Sequence, residues 1–400
     1  MATYVFENLT QAQANAITGA DIIAFSTATA NAGNVTVAIS AVTDTIQNTT
    51  LTVGGKSLFF DAASLSTISQ AGNLVFNDGS SLIVGVNTGD TLTGTAAGDT
   101  VYLFAGNDTF TGGAGSSNIF AGLGNDTVTA GAGSSNLFGA EGNDSLLGGA
   151  GNDHLYGQSA SGGTDGTDTI TGGAGGDYIN GNAGNDIIDG GADSDRIFGG
   201  NGIDTILGSA GNDTINGNLG NDQIDGGADN DSIRGGQGND SLSGGADSDN
   251  IQGDLGTDTI AGGTGVDFVT GGAGIDQFNF AAGEAGTGVT VAGNTSYDTV
   301  NDYADGEDLF RLAAGTVGTT AGDVLLQAAG ASFTTVSAAT VYAQQLLDAH
   351  AGTTDLAVVK VGGDSYLFYN DAAGATINAI IKVQGVTDVS LFTVADFAGA

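Results

Sequence analysis

The 400-residue sequence contains no cysteine, no proline and no tryptophan, and only six Lys and Arg side chains. Without cysteine there is neither a disulfide framework nor a thiolate metal site. Six basic residues against 45 acidic ones leave a formal net charge of −39. No basic patch therefore exists to neutralise nucleic-acid phosphates or to dock on anionic lipid. No apolar run approaches the ~20 residues of a membrane-spanning helix. The N-terminus, MATYVFENLT, has neither a basic n-region nor an apolar h-region, so no cleaved secretory signal peptide is expected. Catalytic motifs are scarce as well. His154 and His350 cannot make a three-His zinc site, and no HExxH occurs. GQSAS (157–161) misses the last glycine of a nucleophile elbow, and Lys56, Lys360 and Lys382 do not follow the glycines of a phosphate-binding loop. The expectation is a protein that is not an enzyme, with a cryptic hydrolase using His154 or His350 as the remote alternative.

What the chain has in quantity is aspartate. Only four of the acids are glutamates (Glu7, Glu141, Glu284 and Glu307). A merely solvated acidic surface would mix the two types, so the bias points to a short-armed oxygen ligand for a hard cation.

The aspartates are periodic. From about residue 85 to 279 the chain falls into nonapeptides such as GGAGNDHLY (148–156), GSAGNDTIN (208–216) and GGQGNDSLS (235–243). The sixth position is Asp in 19 of 21 units: Asp90, Asp99, Asp108, Asp126, Asp144, Asp153, Asp168, Asp177, Asp186, Asp195, Asp204, Asp213, Asp222, Asp231, Asp240, Asp249, Asp258, Asp267 and Asp276. Ser117 and Ser135 are the two exceptions. The eighth position is Leu, Ile, Val or Phe throughout, from Leu92 to Phe278, and one six-residue insertion, GQSASG (157–162), interrupts the phase. Gly at positions 1, 2 and 4 permits positive φ, and Asn at position 5 tolerates the left-handed region. Positions 7 to 9 read as a three-residue strand with residue 8 pointing inward. Two units per turn would stack strands in parallel ~4.8 Å apart. Sixth-position carboxylates eighteen residues apart would then lie above one another, repelling unless a cation bridges them. Ca²⁺, which takes six to eight oxygens, suits two such carboxylates with turn carbonyls.

This pattern resembles the RTX (repeats-in-toxin) family, whose nonapeptide is GGxGxDxUx. The resemblance covers roughly half of the chain. It implies an all-β parallel β-roll that binds Ca²⁺ between turns, and type I secretion, which requires no N-terminal leader and carries unfolded chains. It is closest in kind to RTX surface-layer and extracellular matrix proteins of Gram-negative bacteria. It also implies an extracellular or cell-surface location.

Two units per turn sort the sixth positions into two edges. One edge is Asp throughout, and the other carries both serines in adjacent turns. Counting Asp–Asp neighbours gives roughly 16 well-formed Ca²⁺ sites, with a gap on one side. On the serine edge the outward ninth position is Tyr102, Phe120, Phe138 and Tyr156. Such an aromatic ladder exposes apolar area that something should cover. The candidates are another part of this chain, a second copy or partner protein, and a carbohydrate that stacks on the rings. His154 borders the same patch.

Three regions follow: a β-rich capping region (1–84), the roll (85–280), and a closing and secretion region (281–400). In the first, a helix is expected near residues 8–18, with strands at 21–25, 34–40, 50–60 and 81–85 and a hairpin at Gly54-Gly55. In the last, YDTVNDYADGEDLFRL (297–312) resembles the segment closing many RTX rolls, and Asp302, Asp305 and Asp308 are candidates for a further Ca²⁺. A helix over 337–349 should turn Val341, Tyr342, Gln345, Leu346 and Ala349 to one face. Strands are expected at 356–361, 365–370 and 375–383, and the tail SLFTVADFAGA is compatible with a type I export signal. The reading is a secreted calcium-folded structural protein that assembles with itself into a layer, matrix or filament. The alternative is a monomeric binder of cell-surface polysaccharide.

Overall fold

The computed structural model describes residues 3–5, 11–14, 22–24, 36–40, 48–53, 56–61, 74–75, 80–85, 87–157, 166–280, 298–300, 309–312, 324–326, 333, 336–349, 356–369, 379–384 and 386. Two compact units divide the chain, Met1–Ala192 and Asp193–Ala400, so the division falls inside the repeat array.

In the first unit, successive nonapeptides contribute strands alternately to two parallel sheets. Ser81–Val84, Asp99–Ala105, Asn118–Leu123, Asn136–Glu141, His154–Tyr156 and Tyr178–Ala183 pair in order in one sheet. Thr91–Thr93, Thr109–Thr111, Thr127–Gly131, Ser145–Ala150, Thr169–Ala174 and Ile187–Ala192 pair in the other. The register is eighteen residues, as in Phe120↔Phe138, and becomes twenty-four across the insertion, as in Leu146↔Ile170. The second unit repeats the arrangement, for example from Arg196–Asn201 to Phe268–Ala273. This is a parallel β-solenoid with two repeats per turn.

Every eighth-position side chain is buried. Stacking aliphatic groups at identical depth is the main apolar stabilisation available to so thin a coil, at ~1.5–3 kcal/mol per fully buried side chain. The strands are longer than positions 7 to 9 suggested. Most run six residues, through positions 1 to 3 of the next unit, and in Ile187–Ala192 burial alternates so that both position 8 and position 1 point inward. A glycine or alanine at position 1 offers too little apolar surface to reveal this in a hydrophobicity pattern.

The flanks follow the expected elements where they are described. Asn48–Val53 and Lys56–Asp61 form an antiparallel hairpin with Val53 opposite Lys56. The N-terminal helix covers Gln11–Ala14. In the second unit Asp298–Val300 and Leu309–Leu312 add rungs to the two sheets, so the described part of the stretch 297–312 extends the roll. Asp298–Val300 also pairs with Ala379–Val383, which opens an antiparallel run through Asp364–Tyr369 to Leu356–Val361. The helix Val336–Ala349 packs on that sheet through Ala339 and Ala343, against Val359, Phe368 and Ile380. Ala339 and Ala343 are buried, with Val336, Tyr342 and Leu346 half-buried against the same cluster. Tyr342 and Leu346 thus lie on the packed face as expected, whereas Val341 and Gln345 face solvent, contrary to the sequence expectation. Small alanines, which periodicity arguments discount, let the helix approach the sheet.

Candidate metal centre

The sixth-position side chains form hydrogen-bonded columns. In the first unit one column is Asp90, Asp108, Asp126, Asp144, Asp168 and Asp186, where the N–H of each donates to Oδ1 of the next at 2.7–2.9 Å. The insertion is absorbed without a break, because Asp144 reaches Asp168 and Asp153 reaches Asp177, both twenty-four residues on. In the second unit the columns are Asp195, Asp213, Asp231, Asp249 and Asp267, and Asp204, Asp222, Asp240, Asp258 and Asp276. Strand register and carboxylate thus fix one another, since each Oδ1 satisfies a main-chain donor that would otherwise be left in a buried turn.

The second oxygen has no such role. In Asp108, Asp126, Asp153, Asp213, Asp222, Asp231, Asp240, Asp249 and Asp258, Oδ2 is buried without a hydrogen-bond partner. What faces it is a space left by glycine. A Cβ on Gly148 would fall 2.6 Å from Asp153 Oδ2 and 2.6 Å from the carbonyl oxygen of Gly172 one turn on. Gly226 stands in the same way to Asp231 and Gly244, and Gly235 to Asp240 and Gly253. This first-position glycine is not in the left-handed region, so it is present for room rather than for φ. Positive φ belongs to positions 2 and 4, as at Gly227 (109°), Gly238 (129°), Asn218 (73°) and Asp229 (75°). Asn at position 5 also differs from expectation. It forms an outer ladder in which Asn107 and Asn221 Oδ1 accept the N–H of Asn125 and Asn239, at 3.0 and 2.7 Å.

Burial without a counter-charge leaves its mark on the carboxyls. Asp108, Asp153, Asp222, Asp231, Asp240 and Asp258 are pushed up to about 6, and Asp213 and Asp249 to about 7. Desolvation is the main cause, the accepted backbone N–H opposes it, and neighbouring carboxylates add to it. Asp126 moves the same way for the same reason. Among the described residues no group of three or more His, Cys, Asp or Glu side chains converges on one point. A cation here would be held by one or two carboxylates combined with main-chain carbonyls. An all-oxygen donor set of that kind fits Ca²⁺. Asp302, Asp305 and Asp308 lie outside the described residues.

The serine edge answers why two units depart from the pattern. Ser117 Oγ accepts the N–H of Asp99 at 3.1 Å, and Ser135 Oγ accepts that of Ser117 at 3.0 Å. Ser135 N–H then donates to Asp153 Oδ1 at 2.6 Å. Serine therefore keeps the ladder bond and removes the oxygen that would face a cation. Asp99, at the head of this edge, accepts the N–H and hydroxyl of Thr95 on its two oxygens, at 2.8 and 2.9 Å.

The aromatic ladder occupies the same turns. Ring centroids of Tyr102, Phe120, Phe138 and Tyr156 are 4.9, 5.1 and 5.0 Å apart, with planes within 12° of parallel. Tyr178, from a seventh position, extends it at 5.7 Å with a 43° tilt, and His154 borders it 5.7 Å from Tyr178. All four ladder rings are half-buried. They cover one another, and what they present outward is edges. Such pairs contribute ~0.5–1.5 kcal/mol each beyond area burial.

A family model for the RTX calcium-binding nonapeptide repeat (four copies) matches residues 84–119, 104–137, 120–155, 162–197, 198–233, 225–260 and 243–278. No curated protein matches the chain. Among solved structures, similarity is found to the solution structure of the AlgE6R3 subunit from the Azotobacter vinelandii mannuronan C5-epimerase, at 19% identity and a TM-score of 0.24. That match covers 52% of this chain and 79% of the other.

Proposed function

We propose that this chain, which over residues 84–278 belongs to the RTX calcium-binding nonapeptide-repeat family, is a secreted structural protein that folds on Ca²⁺ outside the cell and then assembles with itself. The observation that carries the first half is the row of buried Oδ2 atoms facing glycine gaps. A proton or a cation must occupy that row for the coil to close, and at neutral pH and millimolar Ca²⁺ the cation prevails. Where Ca²⁺ is scarce the same row keeps the chain open and fit for export by a type I route.

Assembly is supported by a feature that hydrophobic periodicity missed. Along the turns of the Asp204–Asp276 column, Ile203, Leu219, Leu255 and Ile275 are 57%, 43%, 52% and 52% exposed. They stand at the third and fifth positions, where the repeat has no need of an apolar residue. Two exposed aliphatic pairs, Ile203 with Leu219 and Leu255 with Ile275, on either side of the turn that carries Gln237 and Asn239, suit contact with another protein surface. The alternative of a carbohydrate platform on the aromatic ladder is disfavoured by geometry. A sugar stacks on a ring face, and the ladder's inner faces are taken by neighbouring rings. We assign no enzymatic role.

Electron microscopy of the purified chain with Ca²⁺ and with chelator tests this reading. Ordered sheets or fibres that disappear on chelation are expected, and Leu219→Ser/Leu255→Ser should abolish them while leaving the Ca²⁺-dependent fold intact. Monomers persisting at millimolar Ca²⁺ would refute assembly.

A further inference from the structure

The substitutions in the first unit are not confined to one edge. Position 1, which glycine elsewhere leaves empty beside the carboxylate, carries Leu103, Ala121 and Ala130, each 0% exposed. Leu103 and Ala121 precede Asp108 and Asp126 on the all-Asp edge, and Ala130 precedes Ser135 on the other. Hydrocarbon therefore stands in the metal-facing gap on both sides of these turns. The serine edge has no cation-facing carboxylate oxygen at Ser117 or Ser135, and Asp99 is satisfied by Thr95. Only Asp108 and Asp126 keep a buried Oδ2 without a hydrogen-bond partner between residues 99 and 141. The ring stack through Phe120 and Phe138, at 5.1 Å and 4°, occupies the same turns.

We infer that the winding over residues 99–141 folds without a divalent cation and serves as a metal-independent nucleus, while the repeats of the second unit close only when Ca²⁺ is bound. The inference rests on the calcium reading above and adds an order to it. In a solenoid each rung contacts mainly its neighbours, so a preformed rung offers a paired edge on which the next can close. Folding would then be limited by cation filling rather than by nucleation.

Hydrogen–deuterium exchange on the full-length protein, in Ca²⁺ and in chelator at one pH, reads this directly. In chelator, amides of residues 99–141 should keep protection within ~10-fold of the Ca²⁺ state, and those of residues 195–276 should lose more than ~100-fold. Loss of protection in both stretches would overturn the nucleus and leave the calcium reading standing. Retention in both would overturn the calcium reading as well. Ser117→Asp/Ser135→Asp restores the two missing carboxylates and should make residues 99–141 chelator-sensitive while raising the number of bound Ca²⁺. Phe120→Leu, which removes the central ring and leaves the columns untouched, should lower protection in chelator more than in Ca²⁺. If neither variant alters protection in chelator, the inference is wrong.

Discussion

Removing calcium should invert the usual pH response of an acidic protein. Eight buried carboxyls stand at about 6 or 7 against an ordinary 3.8. A raised carboxyl binds its proton more tightly in the fold than in the unfolded chain. Its contribution to stability is complete below about pH 4 and is lost as the pH rises through 6 to 7. At ~1.4 kcal/mol per unit, a rise of roughly two units on eight groups amounts to ~20 kcal/mol. Even halved, that equals the ~5–15 kcal/mol by which a typical domain is stable. Without metal the repeats of the second unit, which hold six of the eight groups, should therefore be open at pH 7.5 and should recover β-structure on acidification to about pH 5, still above the sequence pI of 4.1. Circular dichroism with thermal melts in chelator, across that range, measures it. With Ca²⁺ present the sign reverses, because protons compete with the cation, and the Ca²⁺ midpoint should rise as the pH falls. A chelated sample that melts higher at pH 7.5 than at pH 5 would refute the argument, since burial would then not be penalising these charges.

Gly148→Ala places a methyl between Asp153 Oδ2 and the Gly172 carbonyl, and should lower Ca²⁺ stoichiometry by one in titration calorimetry while costing ~1–3 kcal/mol. Ile215→Ala, in a stack paired with Ile197 and Ile233, should cost ~2–5 kcal/mol in Ca²⁺-bound denaturant melts, with no change in the number of ions. Asp231→Asn keeps the Oδ1 acceptor but removes the charge. It should stabilise the chelated protein at pH 7 and destabilise the Ca²⁺ form, opposite shifts in Tm under the two conditions. Arg234→Ala breaks a bidentate pair with Asp254, at 3.0 Å on both contacts, yet Arg234 is 55% exposed, so stability in denaturant melts should change by less than ~1 kcal/mol.

Much of this fold was legible because the repeat ties residue type to one orientation. An aliphatic residue recurring every nine positions, with two units per turn, leaves little freedom over what faces inward, and all the described eighth positions are buried. The carboxylate columns were legible for the same reason. Position 1 was not. Glycine there looked like a turn residue, and its role as an absence of Cβ beside an oxygen appears only when successive turns are superposed. Leu103, Ala121 and Ala130 therefore do not stand out in the sequence as departures from the repeat. On the helix Val336–Ala349 hydropathy identifies Tyr342 and Leu346 on the packed face but points wrongly to Val341, because alanines 339 and 343 carry the closest contact. The exposed leucines 219 and 255 carry no periodic signal, because they stand at third positions where the repeat tolerates any residue.

Asp and Ser at the sixth position differ in one respect that organises the rest. Both present an oxygen to the N–H of the preceding turn, at 2.8 Å from Asp126 and 3.0 Å from Ser135. Only Asp carries a second oxygen toward the glycine gap. Register and metal dependence are thus borne by different atoms of the same side chain, and exchanging Asp for Ser alters the second without disturbing the first. A solenoid built this way can be set rung by rung between cation-driven and apolar closure. The first unit uses that freedom where rings are available to stack, with a serine column running beside Phe120 and Phe138. The columns of the second unit, with Asp at each sixth position from Asp195 to Asp276, leave closure there to the cation.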